Sequence, residues 1–313
     1  MKKPYLKKMT EEVNKRSHPS AVHHFLTILL LPISFLIGFN AQAQTDSTVV
    51  NRKRLNTILI ASSVGYTAGL VTLNHVWYKD TERQSFRFFN DNAEWKQLDK
   101  AGHFISSFFV SDVSSRMLRS CDLRERKANV IGALSGFLLT LPIEILDGFS
   151  DGYGASIGDV VADAAGPAFF LGQQIAWGEI RVHPKFSFHR TAYAPLRPAL
   201  LGDDLLSEIV KDYNGQTFWL SLDVDKFTPF PRWLNIALGY GGNEMVFARD
   251  SENLAMGYHP FRQYYLAIDL DLSGIKTRSK VIKTLLYVAN IIRLPAPALE
   301  FSSKGSKFYP FYF

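Results

Sequence analysis

The sequence predicts an α+β protein, in which a bundle of about four apolar helices precedes an antiparallel β-sheet. Two observations indicate this class. Up to about residue 180 the chain consists of long apolar stretches rich in small residues, whereas residues 183–313 contain segments in which apolar and polar residues alternate. Long apolar stretches are typical of packed helices, and a period of two is typical of strands with one apolar face.

The N-terminal segment has the features of an export signal. Residues 2–16 carry six Lys and Arg side chains, residues 25–39 are apolar and uncharged, and Ala41-Gln42-Ala43 follows. A basic start, a short apolar stretch and an A-x-A pattern are typical of a cleaved signal peptide. We therefore expect a signal peptide over residues 1–43 and a mature chain that begins near Gln44, with a retained membrane anchor as the alternative.

The charge and the cysteine content exclude two classes of protein. The formal net charge of the chain is +6, and the signal segment contributes four of these charges, which leaves the mature chain near +2. Such a weak excess gives no support to a nucleic-acid partner. The single cysteine, Cys121, excludes a disulfide framework, and the residue directly after Ala43 is Gln44, so the sequence predicts no lipid-modified cysteine at the cleavage site.

Four apolar stretches give the expected helices, at residues 57–73, 101–118, 128–146 and 156–177. If all four crossed a membrane, the loop that contains the basic residues of 119–127 would lie outside the cytoplasm, against the positive-inside rule. We therefore expect a compact helical domain over residues 44–180 that is periplasmic or packed on the outer membrane. A polytopic inner-membrane protein is the alternative.

A β-rich region is expected over residues 181–313, with about five strands. Apolar and polar residues alternate over 218–225, 234–240 and 264–272, a strand is expected at 298–302, and the chain ends on an aromatic run. The polar positions include four acidic residues that we expect on a solvated face: Asp223, Asp225, Asp269 and Asp271. Five strands are too few for a membrane barrel of about eight, so we expect an open sheet that docks at the outer membrane, with an ordinary soluble sheet as the alternative.

Ionisable and polar residues recur within the apolar half. The candidate set is Asp99, Lys100, His103, Glu144, Asp147, Asp151, Ser156, Asp159 and Asp163. Several members are three or four residues apart, which places them on one helix face, and charged groups among apolar helices need partners. Convergence would give a structural polar network, a divalent-cation site or a general base with a shifted pKa. Local capping by Asp99, and by Ser156 with Asp159, is also expected.

Three segments of this half resemble a known family: Asp99-Lys-Ala-Gly-His-Phe104, Ile143-Glu144 with Asp147-Gly-Phe-Ser150, and Gly154-Ala-Ser156 with Asp159. They resemble the YfiM-like family of predicted periplasmic lipoproteins, a domain of unknown function whose longer version has a β-rich tail. The β half, with Lys211-Asp-Tyr-Asn-Gly, looks like that tail. Two departures are the missing lipoprotein cysteine and Asp163, where family members tend to carry Asn. A shorter likeness is to the VanZ-like membrane family.

These observations predict a role but no reaction. No nucleophile, dinucleotide or zinc-protease motif is found in the sequence, and the resemblance implies an envelope location without an activity. We expect a non-enzymatic cell-envelope protein that binds an envelope protein or lipid at a membrane surface, with no nucleic acid and no cofactor, a divalent cation excepted. The alternative is a membrane-proximal metal-dependent hydrolase that uses His103, Glu144 and Asp147.

Overall fold

The computed structural model describes residues 50–78 and 81–313, so the predicted signal peptide lies outside the described residues. These residues belong to two compact units, one that ends at Leu70 and one that comprises Val71–Phe313. The α-helices are α1 (Arg52–Tyr78), α2 (Leu98–Arg119), α3 (Glu125–Gly148), α4 (Ile157–Trp177), α5 (Pro198–Leu201), α6 (Leu205–Lys211), α7 (Asp250–Ala255) and α8 (Lys280–Ala289). The predicted α+β class is confirmed.

Small residues bring α2, α3 and α4 into close contact. A Cβ added at Gly136 of α3 would lie 2.6 Å from the backbone oxygen of Ser107 of α2. A Cβ at Gly166 of α4 would lie 2.2 Å from the backbone oxygen of Phe104 of α2. Glycine lets helix backbones approach closely. The abundance of small residues in the apolar stretches therefore reflects the short distances between these three helices.

Two helices, α1 and α3, have the length and apolar composition of a membrane span. Buried helices of soluble proteins and signal sequences near an N-terminus can have the same properties, and half of the most apolar part of α3 is buried inside the protein. Length and composition therefore do not decide whether either helix crosses a membrane.

The β half forms one antiparallel sheet in which each strand pairs with the next along the chain. Its strands are β1 (Val182–Phe188), β2 (Gln216–Leu222), β3 (Leu234–Asn243), β4 (Phe261–Leu270), β5 (Ala296–Ser302) and β6 (Gly305–Tyr312). The sequence prediction missed β1, which contains Pro184. Proline is tolerated there because β1 is the first strand at the edge of the sheet, where a missing backbone donor on the outer side removes no bond to a neighbouring strand of the sheet.

The buried face of the sheet carries the acidic residues beside a cluster of aromatic residues and alanines, so the expected solvated face is wrong. Asp269, Asp223 and Asp271 are buried, and Asp225 is half-buried. Their charge is compensated inside the protein: the ammonium of Lys185 on β1 lies 2.6 Å from a carboxylate oxygen of Asp269 on β4. The sequence pattern gave the correct period of two but not which face would be buried.

The sheet curls so that side chains of distant strands meet on its buried face. The hydroxyls of Thr217 on β2 and Tyr312 on β6 lie 2.8 Å apart. The guanidinium of Arg293 lies over the ring of Trp219 of β2 at 4.2 Å and donates to the backbone oxygen of Tyr312. These contacts satisfy polar groups that would otherwise be costly to bury.

The opposite face of β2 contacts the helical half. Phe218 belongs to a buried apolar cluster with Leu98 and Ile105 of α2, Tyr213 and Met245. This cluster lies beside the first turns of α2 and brings Tyr213 of the β half to the polar residues that follow.

Candidate functional site

The polar residues predicted from the sequence come together where α2, α3 and α4 meet. Asp99, Lys100 and His103 lie on the first two turns of α2, Glu144 on α3, and Asp163 on α4. Glu144 and Asp163 are buried, whereas Asp99 is 27% exposed and the His103 side chain 15% exposed. The cluster therefore has buried carboxylates on one side and is partly exposed to solvent on the other.

His103 is the centre of the cluster. Its Nδ1 lies 3.1 Å from Asp163 Oδ1, and its Nε2 lies 3.6 Å from Glu144 Oε1 and 3.8 Å from Asp99 Oδ1. Burial lowers the pKa of His103, but the hydrogen bond with Asp163 and the charge of Asp99 outweigh it, so that the pKa rises well above its usual value. The imidazole therefore holds its second proton more strongly than an ordinary histidine does.

Lys100 forms the second centre, one turn away. Its ammonium lies 2.7 Å from Asp91 Oδ1 and 2.8 Å from Asp159 Oδ1. Burial raises the pKa of Asp91, but hydrogen bonds from Lys100 and Ser156 more than offset this, and the net shift is downward. Asp91 is thus a stable counter-ion for Lys100. It lies in an irregular polar segment that offered no periodic pattern, and the sequence analysis missed it.

Ser156 connects the two centres. As the N-cap of α4 it accepts a hydrogen bond from the Asp159 backbone nitrogen at 3.2 Å and donates to Asp91 Oδ1 at 2.6 Å. Its own backbone nitrogen donates to Glu144 Oε2 at 3.1 Å. The expected cap is therefore present, but Glu144 takes the place of Asp159 as the acceptor that completes a capping box.

Asp99 does not cap α2, because the helix already begins at Leu98. Its Oδ1 accepts a hydrogen bond from the Tyr213 hydroxyl at 2.7 Å, a contact from the β half that no sequence pattern linked to this site. Asp147 similarly accepts from the Tyr78 hydroxyl at 2.6 Å. Both tyrosines thus keep carboxylates of the cluster in fixed positions.

Three carboxyl groups of the cluster hold protons more strongly than usual. Burial, opposed by the charge of His103, raises the pKa of Glu144 to about 8. Burial and the neighbouring Asp99 raise the pKa of Asp159 to about 7, and burial, opposed by the Tyr78 hydrogen bond, raises that of Asp147 to about 7. Burial is the main cause in all three groups, and neighbouring carboxylates add to it.

One predicted member lies outside the cluster. Asp151 is exposed in the loop after α3, where its Oδ1 accepts a hydrogen bond from the backbone nitrogen of Glu82 at 3.0 Å. The sequence analysis placed it one helical turn beyond Asp147, but α3 ends at Gly148. The side chain therefore fixes a loop and does not reach His103.

A second feature is the apolar outer face of the sheet. Eight large apolar or aromatic side chains on β2 to β6 are between 38% and 62% exposed. They are Leu220, Ile236, Leu238, Tyr264, Leu266, Ile268, Phe301 and Phe308. Because they alternate with buried residues along their strands, they share one face of the sheet. A continuous exposed apolar surface of this kind is typical of a binding site for a partner or a membrane.

Helix α8 adds a second exposed apolar stripe. Val281, Leu285 and Val288 are 68%, 62% and 54% exposed, and their spacing places them on one helix face. The Tyr287 hydroxyl anchors the helix to α2 through Asp112 Oδ2 at 2.9 Å. Residues 272–299 contain five Lys and Arg residues and no acidic residue. The apolar stripe therefore lies within a basic segment.

Comparison with known proteins identifies a family for part of the chain. Residues 87–171 match the model of the family described as predicted periplasmic lipoprotein (DUF2279). This segment resembles that family, as the sequence suggested; the name YfiM-like is not confirmed.

The matched segment contains all the residues of the cluster except Tyr78 and Tyr213. The match supports an exported, periplasmic envelope protein and assigns no activity. No curated protein and no solved structure matches this chain.

Proposed function

We propose that this chain is a non-enzymatic cell-envelope protein that docks on an anionic membrane surface through the outer face of its sheet and through α8. The observation that carries the proposal is the reversed polarity of the sheet. Buried residues such as Lys185, Asp269 and Glu300 are charged, whereas exposed ones such as Leu238 and Leu266 are apolar. Sheets in contact with lipid have apolar residues outside and polar residues inside.

Docking on the surface fits this sheet better than spanning the bilayer. In the described residues, six strands pair in series, so that β1 and β6 remain edges. Hydrogen-bonding groups of a free edge cannot be satisfied in hydrocarbon. One edge is partly covered, because Phe186 of β1 exchanges backbone hydrogen bonds with Ile291 and Arg293 at 2.9 Å. The backbone groups at the other edge, on β6, need water or lipid headgroups as hydrogen-bond partners.

The charge around α8 favours an anionic lipid as the occupant. Lys276, Arg278, Lys280 and Lys283 are exposed and flank or belong to the helix. Each basic side chain near an anionic surface contributes about 1 kcal/mol, and a helix with an apolar stripe and basic neighbours lies in the plane of the interface. The apolar stripe and the basic residues thus support binding to the same surface.

Co-sedimentation with vesicles tests the proposal. The mature chain should sediment with vesicles that contain phosphatidylglycerol more strongly than with pure phosphatidylcholine, and added salt should weaken the difference. Leu285→Glu on α8 and Leu238→Glu on the sheet should reduce binding. Leu254→Glu is the matched control, because Leu254 is 54% exposed but lies on α7. Equal sedimentation of all variants would overturn the proposal. A soluble dimer of this chain that does not bind vesicles would also overturn it.

Fractionation of cells gives a second test. The protein should remain with membranes after osmotic shock, and its apolar contacts should retain part of it through a carbonate or high-salt wash. Release of the mature chain into the soluble periplasm by osmotic shock alone would argue for an ordinary soluble sheet.

A further inference from the structure

We propose that His103, Glu144 and Asp163 form a binding site for one divalent transition-metal ion. Each residue offers one ligand atom, and these atoms lie within 4.8 Å of one another. The three residues come from three different helices, so an ion bound among them would join α2, α3 and α4. This site is separate from the lipid-docking surface and does not depend on it.

Two buried oxygen atoms that accept no hydrogen bond support this assignment. Glu144 Oε1 and Asp163 Oδ2 are buried and accept no hydrogen bond from any residue in the described ranges. The two side chains are 3% and 0% exposed. A buried carboxylate oxygen without a partner is costly, and a cation is the ligand that would satisfy both atoms at once.

A neighbouring triad is a weaker candidate. Asp99, His103 and Asp159 also offer ligand atoms within 4.8 Å of one another. However, Asp99 Oδ1 already accepts from the Tyr213 hydroxyl at 2.7 Å, and Asp159 Oδ1 pairs with the Lys100 ammonium at 2.8 Å. These two carboxylates therefore already have partners within the protein, and the ammonium of Lys100 would repel a metal ion bound beside it.

The ligand types select the class of metal. One imidazole with two carboxylates suits Mn²⁺ or Zn²⁺ better than Ca²⁺, which prefers six to eight oxygen ligands. Water would complete the coordination from the open side, where the His103 side chain is 15% exposed. Lys100, paired with Asp91, would then be the neighbouring cation that limits the site to one ion.

Titration of the chelator-treated mature chain with Mn²⁺, and separately with Zn²⁺, tests the proposal. We expect one ion to bind per chain, and Glu144→Gln and Asp163→Asn to weaken binding by at least about 10–100-fold. Asp151→Asn is the matched control, because this carboxylate lies outside the cluster. The proposal fails if the wild-type chain binds neither ion, or if Glu144→Gln binds as well as wild type.

A spectroscopic measurement on the wild-type chain does not depend on whether the variants fold. Bound Mn²⁺ should show electron–nuclear coupling to one imidazole nitrogen, and the coupling should change when histidine is labelled with ¹⁵N. His183→Gln should leave this coupling unchanged, since His183 pairs with Asp223 in the β half. Bound Mn²⁺ without nitrogen coupling would overturn the assignment of His103 as a ligand.

Discussion

Replacing Asp147 with Asn tests whether burial raises the pKa of this carboxyl group. Asp147 is half-buried and accepts a hydrogen bond from the Tyr78 hydroxyl at 2.6 Å, which the amide oxygen of Asn can also accept. Asp99, Asp91 and His103 are the other charged groups that act on it. The substitution removes one ionisable group and keeps the shape and the hydrogen bond.

The expected effect follows from the pKa in the two states. Burial, opposed by the Tyr78 hydrogen bond, raises the pKa of Asp147 from 3.8 to about 7 in the folded protein. The folded state therefore binds the proton more tightly than the unfolded state, and this stabilisation, complete below pH 4, is lost as the pH rises to 7. The interval from pH 5 to pH 7 corresponds to about 2.7 kcal/mol. Partial exposure lowers the effect, so that it lies between about 1 kcal/mol and this upper value.

The assay is urea unfolding of the wild-type and Asp147→Asn chains at pH 5 and pH 8 with chelator present. The free energy of unfolding of the variant relative to wild type should increase by about 1–3 kcal/mol between the two pH values. Titrating groups that do not interact with Asp147 occur in both chains and cancel in the difference. A difference that is the same at both pH values would refute the argument.

Three further predictions concern packing, charge and processing. Gly136→Ala should destabilise the protein by about 1–3 kcal/mol, because the added Cβ would overpack against α2. Gly172→Ala should stabilise it slightly, because no atom lies within 4 Å of a Cβ added there. Equal melting temperatures of the two variants would contradict this. Asp269→Ala should cost about 3–5 kcal/mol in urea unfolding because Lys185 stays buried and charged, and the double variant Lys185→Met/Asp269→Leu should lose less; an equal loss would show that pairing is irrelevant. N-terminal sequencing of envelope protein should start at or near Gln44, and an uncleaved start would disprove processing.

The helical half was largely predictable because its information is local. Apolar stretches bounded by polar segments gave the existence of α1 to α4, and the Ser156 cap of α4 followed from its position before an apolar run. Convergence of the acidic residues with His103 was a hypothesis from the sequence, based on the need of ionisable groups among apolar helices for partners. The members that came from outside the pattern, Asp91, Tyr78 and Tyr213, were missed, since nothing local relates them to the cluster.

The sequence by itself determined the α+β class, the period of the strands and most of the polar cluster. Only the tertiary structure decided which face of the sheet is buried. Alternation separates the residues of a strand into two faces, but it does not show which other residues each face meets in the folded protein. The buried face is the polar one, where Lys185 reaches Asp269 and Tyr312 reaches Thr217 across the curled sheet. These pairs are far apart along the chain. Their mutual satisfaction makes burial of the polar face possible and leaves the apolar face exposed, and this balance of long-range contacts cannot be read from a local pattern.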